Sequence, residues 1–385
     1  MLITKKLACC IALAFSTLSI NAQSITIEEL RIDKASKIMP EISSALSDRV
    51  NLFVEQINKA RNLTVLSQLS IRHGKGIWTD AKLYFKNTNN FDDRPLYWAR
   101  LKMSKALKQT KAFKESLPDQ QKKLLWQFEL YSRGQTDVKF DKDTSKKILI
   151  TGFDPFLLDR NIKQSNPSGI SAIVLDDLVV SSEGKSAEIE TLILPVRFED
   201  FDQGMVEELL TPYFRNNAVD MIITVSMGRN SFELERFSGL RRSALVPDNS
   251  NIITGANKDN PLVPMLGESL LKGPEFLEFT LPVEEIKTAS GFFPIKDNRI
   301  VTTKNETLRV TALSELINEI SVEGSGGGYL SNEIAYRSLL LRDLFNPVLP
   351  VGHIHTPSIR GYDEEKIKLI LSQLKAMLTQ AAKTL

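Results

Sequence analysis

From Lys147 onward the sequence switches repeatedly between two periodicities, and that switching most limits the folds open to it. Short apolar runs (Ile148-Leu149-Ile150, Leu192-Ile193-Leu194, Met221-Ile222-Ile223-Thr224-Val225 and Val348 to Ile354) alternate with stretches that repeat every three to four residues. Runs that are apolar on both faces suit strands covered on both sides, and helix-length connections between them allow parallel pairing. The expected fold class is α/β, a three-layer α/β/α domain on a mostly parallel twisted sheet over residues 146–385. Helices are expected over Ser168 to Asp177, Phe201 to Asn216, Val310 to Ile320, Asn332 to Asp343 and Asp363 to Lys383.

Residues 23–145 read differently. Roughly 34–60, 94–115 and 119–132 carry helix-like spacing, as in Val50, Phe53, Val54 and Ile57, which predicts a mainly helical N-terminal region of unassigned role. Gly134-Gln135-Thr136-Asp137 and the polar run from Asp141 to Ser145 separate it from the α/β part. Trp78, Trp98 and Trp126 all fall in this region and are expected to be packing residues.

The first 22 residues read as a signal peptide: Lys5-Lys6, the apolar run Leu7 to Leu18, then Ser19-Ile20-Asn21-Ala22, which ends on a small residue. That run is shorter than the ~20 residues needed to cross a bilayer. The expected product is exported, periplasmic or secreted, with no membrane span after signal removal. Both cysteines, Cys9 and Cys10, lie inside the signal, so the mature chain would have neither a disulfide nor a thiol nucleophile. With 25% charged residues, a net charge of +2 and no long basic run, no nucleic-acid partner is expected.

Three histidines limit the chemistry: His73, His353 and His355. Two of them share a strand face in Val351-Gly352-His353-Ile354-His355-Thr356-Pro357, an arrangement open to metal binding. No third histidine or HExxH pattern completes a site, so a general base at the C-terminal end of a strand is preferred, and no metal or cofactor is expected. The cluster Gly324 to Gly328 lacks the ending of a P-loop. Glycines just before Tyr329-Leu330-Ser331-Asn332 permit close backbone approach and a helix start, with free N–H groups near Ser331.

Several segments together resemble pyroglutamyl peptidase type I, the family that removes an N-terminal pyroglutamyl residue from peptides. Thr151-Gly152-Phe153-Asp154-Pro155-Phe156 is similar to the family's TGFEPF, followed by Asn166-Pro167-Ser168 and Leu194-Pro195-Val196. Gly228-Arg229, Glu235-Arg236 and Pro247-Asp248-Asn249 then follow at the family's spacings, and the blocks Gly327 to Asn332 and Gly352 to Pro357 resemble its last two, with the family's offset between the Ser331 and His355 positions. The resemblance covers about residues 146–370. It implies that His355 is the base, Glu235 its orienting carboxylate and Ser331 the occupant of the nucleophile's position, where the family has cysteine. It also implies that Phe153, Phe156 and Leu330 line the pocket for the pyrrolidone ring, and it allows a homo-oligomer.

Three further departures stand out. Leu245 takes the place of an arginine, Val225 replaces the glutamine of a glycine-glutamine-alanine turn, and the stretch between Asn249 and Leu281 reads as a surface insertion. The expected function is a peptidase-like hydrolase cleaving an N-terminal pyroglutamyl or related amide bond of a peptide or small amide through Ser331, His355 and Glu235. The alternative is an inactive relative acting as an exported peptide- or partner-binding protein.

Overall fold

The apolar runs become the middle of a seven-stranded sheet in the computed structural model, which describes residues 25–141 and 146–385. The expected signal peptide, with Cys9 and Cys10, lies outside the described residues. The strands are β1 (Lys146–Phe153), β2 (Leu178–Ser182), β3 (Lys185–Leu194), β4 (Met221–Met227), β5 (Phe232–Glu235), β6 (Ile295–Asn298) and β7 (Val351–Thr356), in the order β6-β5-β7-β4-β1-β3-β2. The central four, β7, β4, β1 and β3, run parallel. β2 joins β3 as an antiparallel hairpin, and β5 pairs antiparallel with β7 while carrying β6 parallel at the edge. The mostly parallel α/β fold expected from the sequence is the one observed.

Eight longer helices organise the rest: α1 (Ser47–Asn58), α2 (Leu63–Thr88), α3 (Arg94–Gln109), α4 (Pro118–Tyr131), α5 (Pro167–Leu175), α6 (Met205–Arg215), α7 (Leu330–Phe345) and α8 (Glu364–Ala382). The sheet is flanked by α5 with α8 and by α6 with α7. α5 starts where its sequence says it should: Asn166 accepts from Ser168 N, and Pro167 fills the first helical position.

The expectations fail at particular places. The longest helix, α2, falls between the stretches 34–60 and 94–115, because Gly74 and Gly76 weaken its helical signature. The stretch 94–115 breaks at extended Thr110, and 201–216 breaks at Gly204, whose φ of 87° favours glycine. No α-helix forms over Val310 to Ile320. Glu315 folds back to accept from Thr311 N and Ala312 N, and only a 3-10 turn, Leu313–Leu316, results before Asn318 at φ 66°. Val225 sits in no turn but inside β4, fully buried. Trp78 and Trp98 are core residues, whereas partly exposed Trp126 donates to Glu208 Oε2 at 2.6 Å. Among the described residues no helix is long and apolar enough to cross a membrane.

The helical region and the sheet share one apolar core, in which Phe53, Leu66 and Trp78 join Ile148, Ile173 and Leu192. A buried charge cluster ties them further. Arg100 of α3 and Arg133 just after α4 both reach Asp154, each at 2.8 Å. Arg133 also pairs with Glu129 at 2.8 Å, and Glu129 meets Arg197 at 3.0 Å. Arg197 continues to Glu28 at 2.7 Å and Asp200 at 2.5 Å. Burial opposes ionisation of Asp154, but Arg100 and Arg133 outweigh it and hold the carboxyl below its ordinary range. A second staple sets Lys82 of α2 among Asp137, Asp176 (2.7 Å) and Asp177 (2.9 Å).

Deleting the shared acceptor leaves two buried guanidiniums without their main counter-charge. Asp154→Ala is expected to cost about 3–5 kcal/mol in urea unfolding. Leu245→Ala, at an exposed side chain, should stay within about 0.5 kcal/mol of wild type.

Candidate active site

Sheet register brings the chemistry together. His355 of β7 lies opposite Ser226 of β4 and Glu233 of β5, and Glu235 ends β5 beside it. His355 Nδ1 and Glu235 Oε1 are 2.5 Å apart, with both residues buried. Burial pushes the Glu235 carboxyl up, with His355 pulling against it. The second carboxylate oxygen accepts from Asn298 Nδ2 at 2.8 Å, and the same amide donates to Ser325 O at 2.9 Å. Gly228 makes room for the imidazole, since a Cβ there would stand 2.6 Å from His355 Cβ.

Ser331 is the second residue of α7, where backbone N–H groups have no intrahelical acceptor. Its hydroxyl donates to Gly326 O at 3.3 Å. Gly326 adjoins the other two groups: a Cβ placed on it would lie 3.6 Å from His355 Cε1 and 3.7 Å from Glu235 Cγ. The three expected residues therefore surround one glycine, with the serine hydroxyl turned to that glycine's carbonyl. Asn332 holds the loop in place, accepting from Gly239 N at 2.9 Å and donating to Gly239 O at 2.7 Å.

Phe153, Phe156, Leu330 and Ser331 line a single cleft of about 300 Å³, including its open mouth. Val196, Ser226, Met227, Tyr329 and Asn166 complete it, and the sequence reading named none of these five as lining. The Asn166 side chain accepts from Ser168 N and Oγ and donates to Asp154 O at 2.9 Å. Behind it, Asp93 from the helical region accepts from Asn166 N at 3.0 Å and from Ser165 Oγ at 2.6 Å.

His353 has a different role from its neighbour. Its two ring nitrogens are each 2.8 Å from a hydroxyl, Nδ1 from Thr224 and Nε2 from Ser226. Burial first, then His355, keeps it well below the ordinary histidine range. The HxH pair is thus an edge-to-face contact at 4.9 Å with no free nitrogen on His353 for a metal. Glu233, Glu235 and His355 do place ligand-type atoms within 4.8 Å of one another. Glu233 is however paired with Arg229 at 2.9 Å and Glu235 with His355, which satisfies those carboxylates within the protein. The sequence reading also missed Asn298 and Asp93. Only the β6–β5 register, with Asn298 opposite Glu235, brings Asn298 into place.

Residues 147–290 and 294–360 match the family described as PA0049, C-terminal domain, and residues 12–129 match the PA0049 N-terminal domain. The chain belongs to the PA0049 family. It is 28% identical over 357 residues to the uncharacterised protein PA0049 of Pseudomonas aeruginosa, an alignment covering 70% of this chain and 64% of that relative. The chain thus spans less than two thirds of the relative's length. Among solved structures, this PA0049-family chain is similar to pyrrolidone carboxyl peptidase of Pyrococcus furiosus (22% identity, 62% of this chain and 99% of that one, TM-score 0.40). It is also similar to pyroglutamyl peptidase I of Bacillus amyloliquefaciens (20%, 62% and 98%, TM-score 0.41). The corresponding figures for the Thermococcus litoralis enzyme are 18%, 62% and 94%, with a TM-score of 0.40.

Two outcomes follow for this PA0049-family site. Gly228→Ala should displace the imidazole and abolish a strongly downfield N–H proton signal from His355 Nδ1, which Ser331→Ala should retain. The second concerns Asp93, whose carboxyl is pushed up to about 8 by burial and by Asp92. Its folded pKa lies above the unfolded value, so the folded state binds more protons between roughly pH 4 and 8. Stability from this group is present at low pH and lost as pH rises through that window. Asp93→Asn keeps an oxygen acceptor and should lose about 1–3 kcal/mol less than wild type between roughly pH 5 and pH 9 in urea unfolding.

Proposed function

We propose that the chain is a peptidase-like hydrolase that cleaves an N-terminal pyroglutamyl or related amide bond through Ser331, His355 and Glu235. The observation that carries this reading is the 2.5 Å Glu235–His355 pair set against a helix-start serine that lines an apolar cleft. In the proposed reaction Ser331 Oγ leaves Gly326 O, turns to His355 Nε2 and attacks the substrate carbonyl carbon while its proton passes to that nitrogen. Glu235 holds the Nδ1–H and stabilises the imidazolium that forms. The tetrahedral oxyanion takes the free N–H groups at the start of α7. The C–N bond then breaks, the amine leaves with the proton from His355, and water hydrolyses the serine ester by the same steps. Phe153, Phe156 and Leu330 would hold the pyrrolidone ring by apolar contact. With the signal-peptide reading of residues 1–22, the proposed place of action is the periplasm or the exterior.

The hydroxyl's bond to Gly326 O, with no bond to His355, favours the second reading, an exported peptide-binding relative without turnover. One assay separates the two: release of a chromogenic amine from pyroglutamate by wild type, Ser331→Ala and Ser331→Cys. The hydrolase reading expects wild-type turnover, reduced roughly 10³-fold or more in Ser331→Ala. Turnover only in Ser331→Cys would exclude a working serine and support the binding relative.

A further inference from the structure

We propose that the leaving portion of the substrate occupies a second groove beside the catalytic residues, and that this groove selects peptides carrying carboxylates just after the scissile bond. The inference rests on the hydrolase reading for what is cleaved, but the groove's charge does not. The groove encloses about 1430 Å³ including its open mouth. One wall is formed by Gly324, Ser325 and Gly327, the loop whose Gly326 carbonyl accepts from Ser331. Its floor includes Asn298, which donates to Glu235, and Glu233, whose carboxylate lies within 4.8 Å of the Glu235 and His355 ligand atoms. Ser331 lines the apolar cleft and the neighbours of Gly326 line the groove, so the Ser331–Gly326 hydrogen bond links the two linings. A ring held in the cleft directs the rest of a peptide into the groove.

The charge of the two spaces differs. No ionisable side chain except the Tyr329 phenol lines the cleft, which suits a neutral pyrrolidone ring. Five cations line the groove: Arg229, Lys258, Lys287, Lys296 and Arg309. They face three carboxylates, Glu233, Asp297 and Glu323. Asp297 is already held by Arg236 at 2.9 Å and Arg299 at 2.7 Å, neither of which lines the groove. Glu233 pairs with Arg229 at 2.9 Å and Glu323 with Lys258 at 3.2 Å. Among the described residues Lys296 and Arg309 make no ion pair, and both are exposed. Their charges remain for a ligand, and a concave wall with surplus positive charge concentrates anions. A substrate tail with basic residues meets the opposite field.

The test uses the full chain carrying Ser331→Ala, so that binding is read without cleavage. Fluorescent peptides of the form pyroglutamyl-Ala-Glu-Glu and pyroglutamyl-Ala-Lys-Lys are titrated by anisotropy at about 50 mM and about 300 mM salt. The acidic peptide should bind about 5- to 20-fold tighter at low salt, the preference should shrink at high salt, and Lys296→Glu with Arg309→Glu should erase it. Equal affinities, no measurable binding of either peptide, or a preference that survives the double charge reversal would overturn the inference. Turnover in the otherwise wild-type chain separates this from failure of the hydrolase reading. Charge-dependent binding without hydrolysis leaves the groove standing and removes the peptidase, whereas hydrolysis blind to these charges removes the groove.

Discussion

Asp154 pairs with two arginines of the helical region while its neighbours Phe153 and Phe156 line the cleft, so the packing of the two halves and the shape of the cleft depend on one carboxylate. Taking Arg100, Arg133 and Asp154 out of water is expensive, and such groups stay charged only if each is matched closely. The chain achieves this by extension. Arg133 shares Glu129 with Arg197, and Arg197 continues to Glu28 and Asp200. Removal of either half would strand charges in the other, which makes the helical region part of the folded unit, unlike a detachable cover. The shared apolar core, running from Phe53 and Trp78 into Ile148 and Leu192, has the same consequence.

The chemistry of the candidate site follows from similar matching at shorter range. Both oxygens of Glu235 are engaged, one by His355 and the other by Asn298, so the carboxylate can neither rotate nor take up water easily. This fixes which imidazole nitrogen faces the carboxylate and leaves the other outside that pair. A hydroxyl needs such a base more than a thiol does, because it has almost no anion of its own near neutral pH. His353, one strand step away, shows what the absence of a carboxylate does: two hydroxyls satisfy it, and burial keeps it neutral.

Much of this was legible in the sequence, for identifiable reasons. The central strands are apolar on both faces, so Ile148-Leu149-Ile150 and Met221 to Val225 declare themselves without partners. Glu235, Ser331 and His355 were singled out by the order and spacing of short motifs, and all three lie near Gly326. What was missed depends on distant partners. Asn298 becomes meaningful only when β6 pairs with β5, and Asp93 only when the start of α3 docks behind Asn166. Helix α2 was hidden because Gly74 and Gly76 lower its intrinsic propensity, a deficit that tertiary packing makes good. The false helix at Val310 to Ile320 has the opposite cause: a suitable pattern was overridden by local side-chain to backbone bonds from Glu315.

The departures from the pyroglutamyl peptidase pattern then acquire different weights. Val225 is a buried strand residue, so its side chain answers to core packing, and a glutamine amide there would need partners that a dry sheet interior supplies reluctantly. Leu245 is exposed and satisfies no buried group, so nothing in the fold depends on it. The serine differs from both. It stands at a helix start, bonded to the carbonyl of a glycine that adjoins His355, and in the proposed reaction its hydroxyl would exchange that carbonyl for the imidazole. A part-buried hydrogen bond of this kind contributes on the order of 1 kcal/mol, small beside the gain the proposed reaction would draw from an oxyanion site.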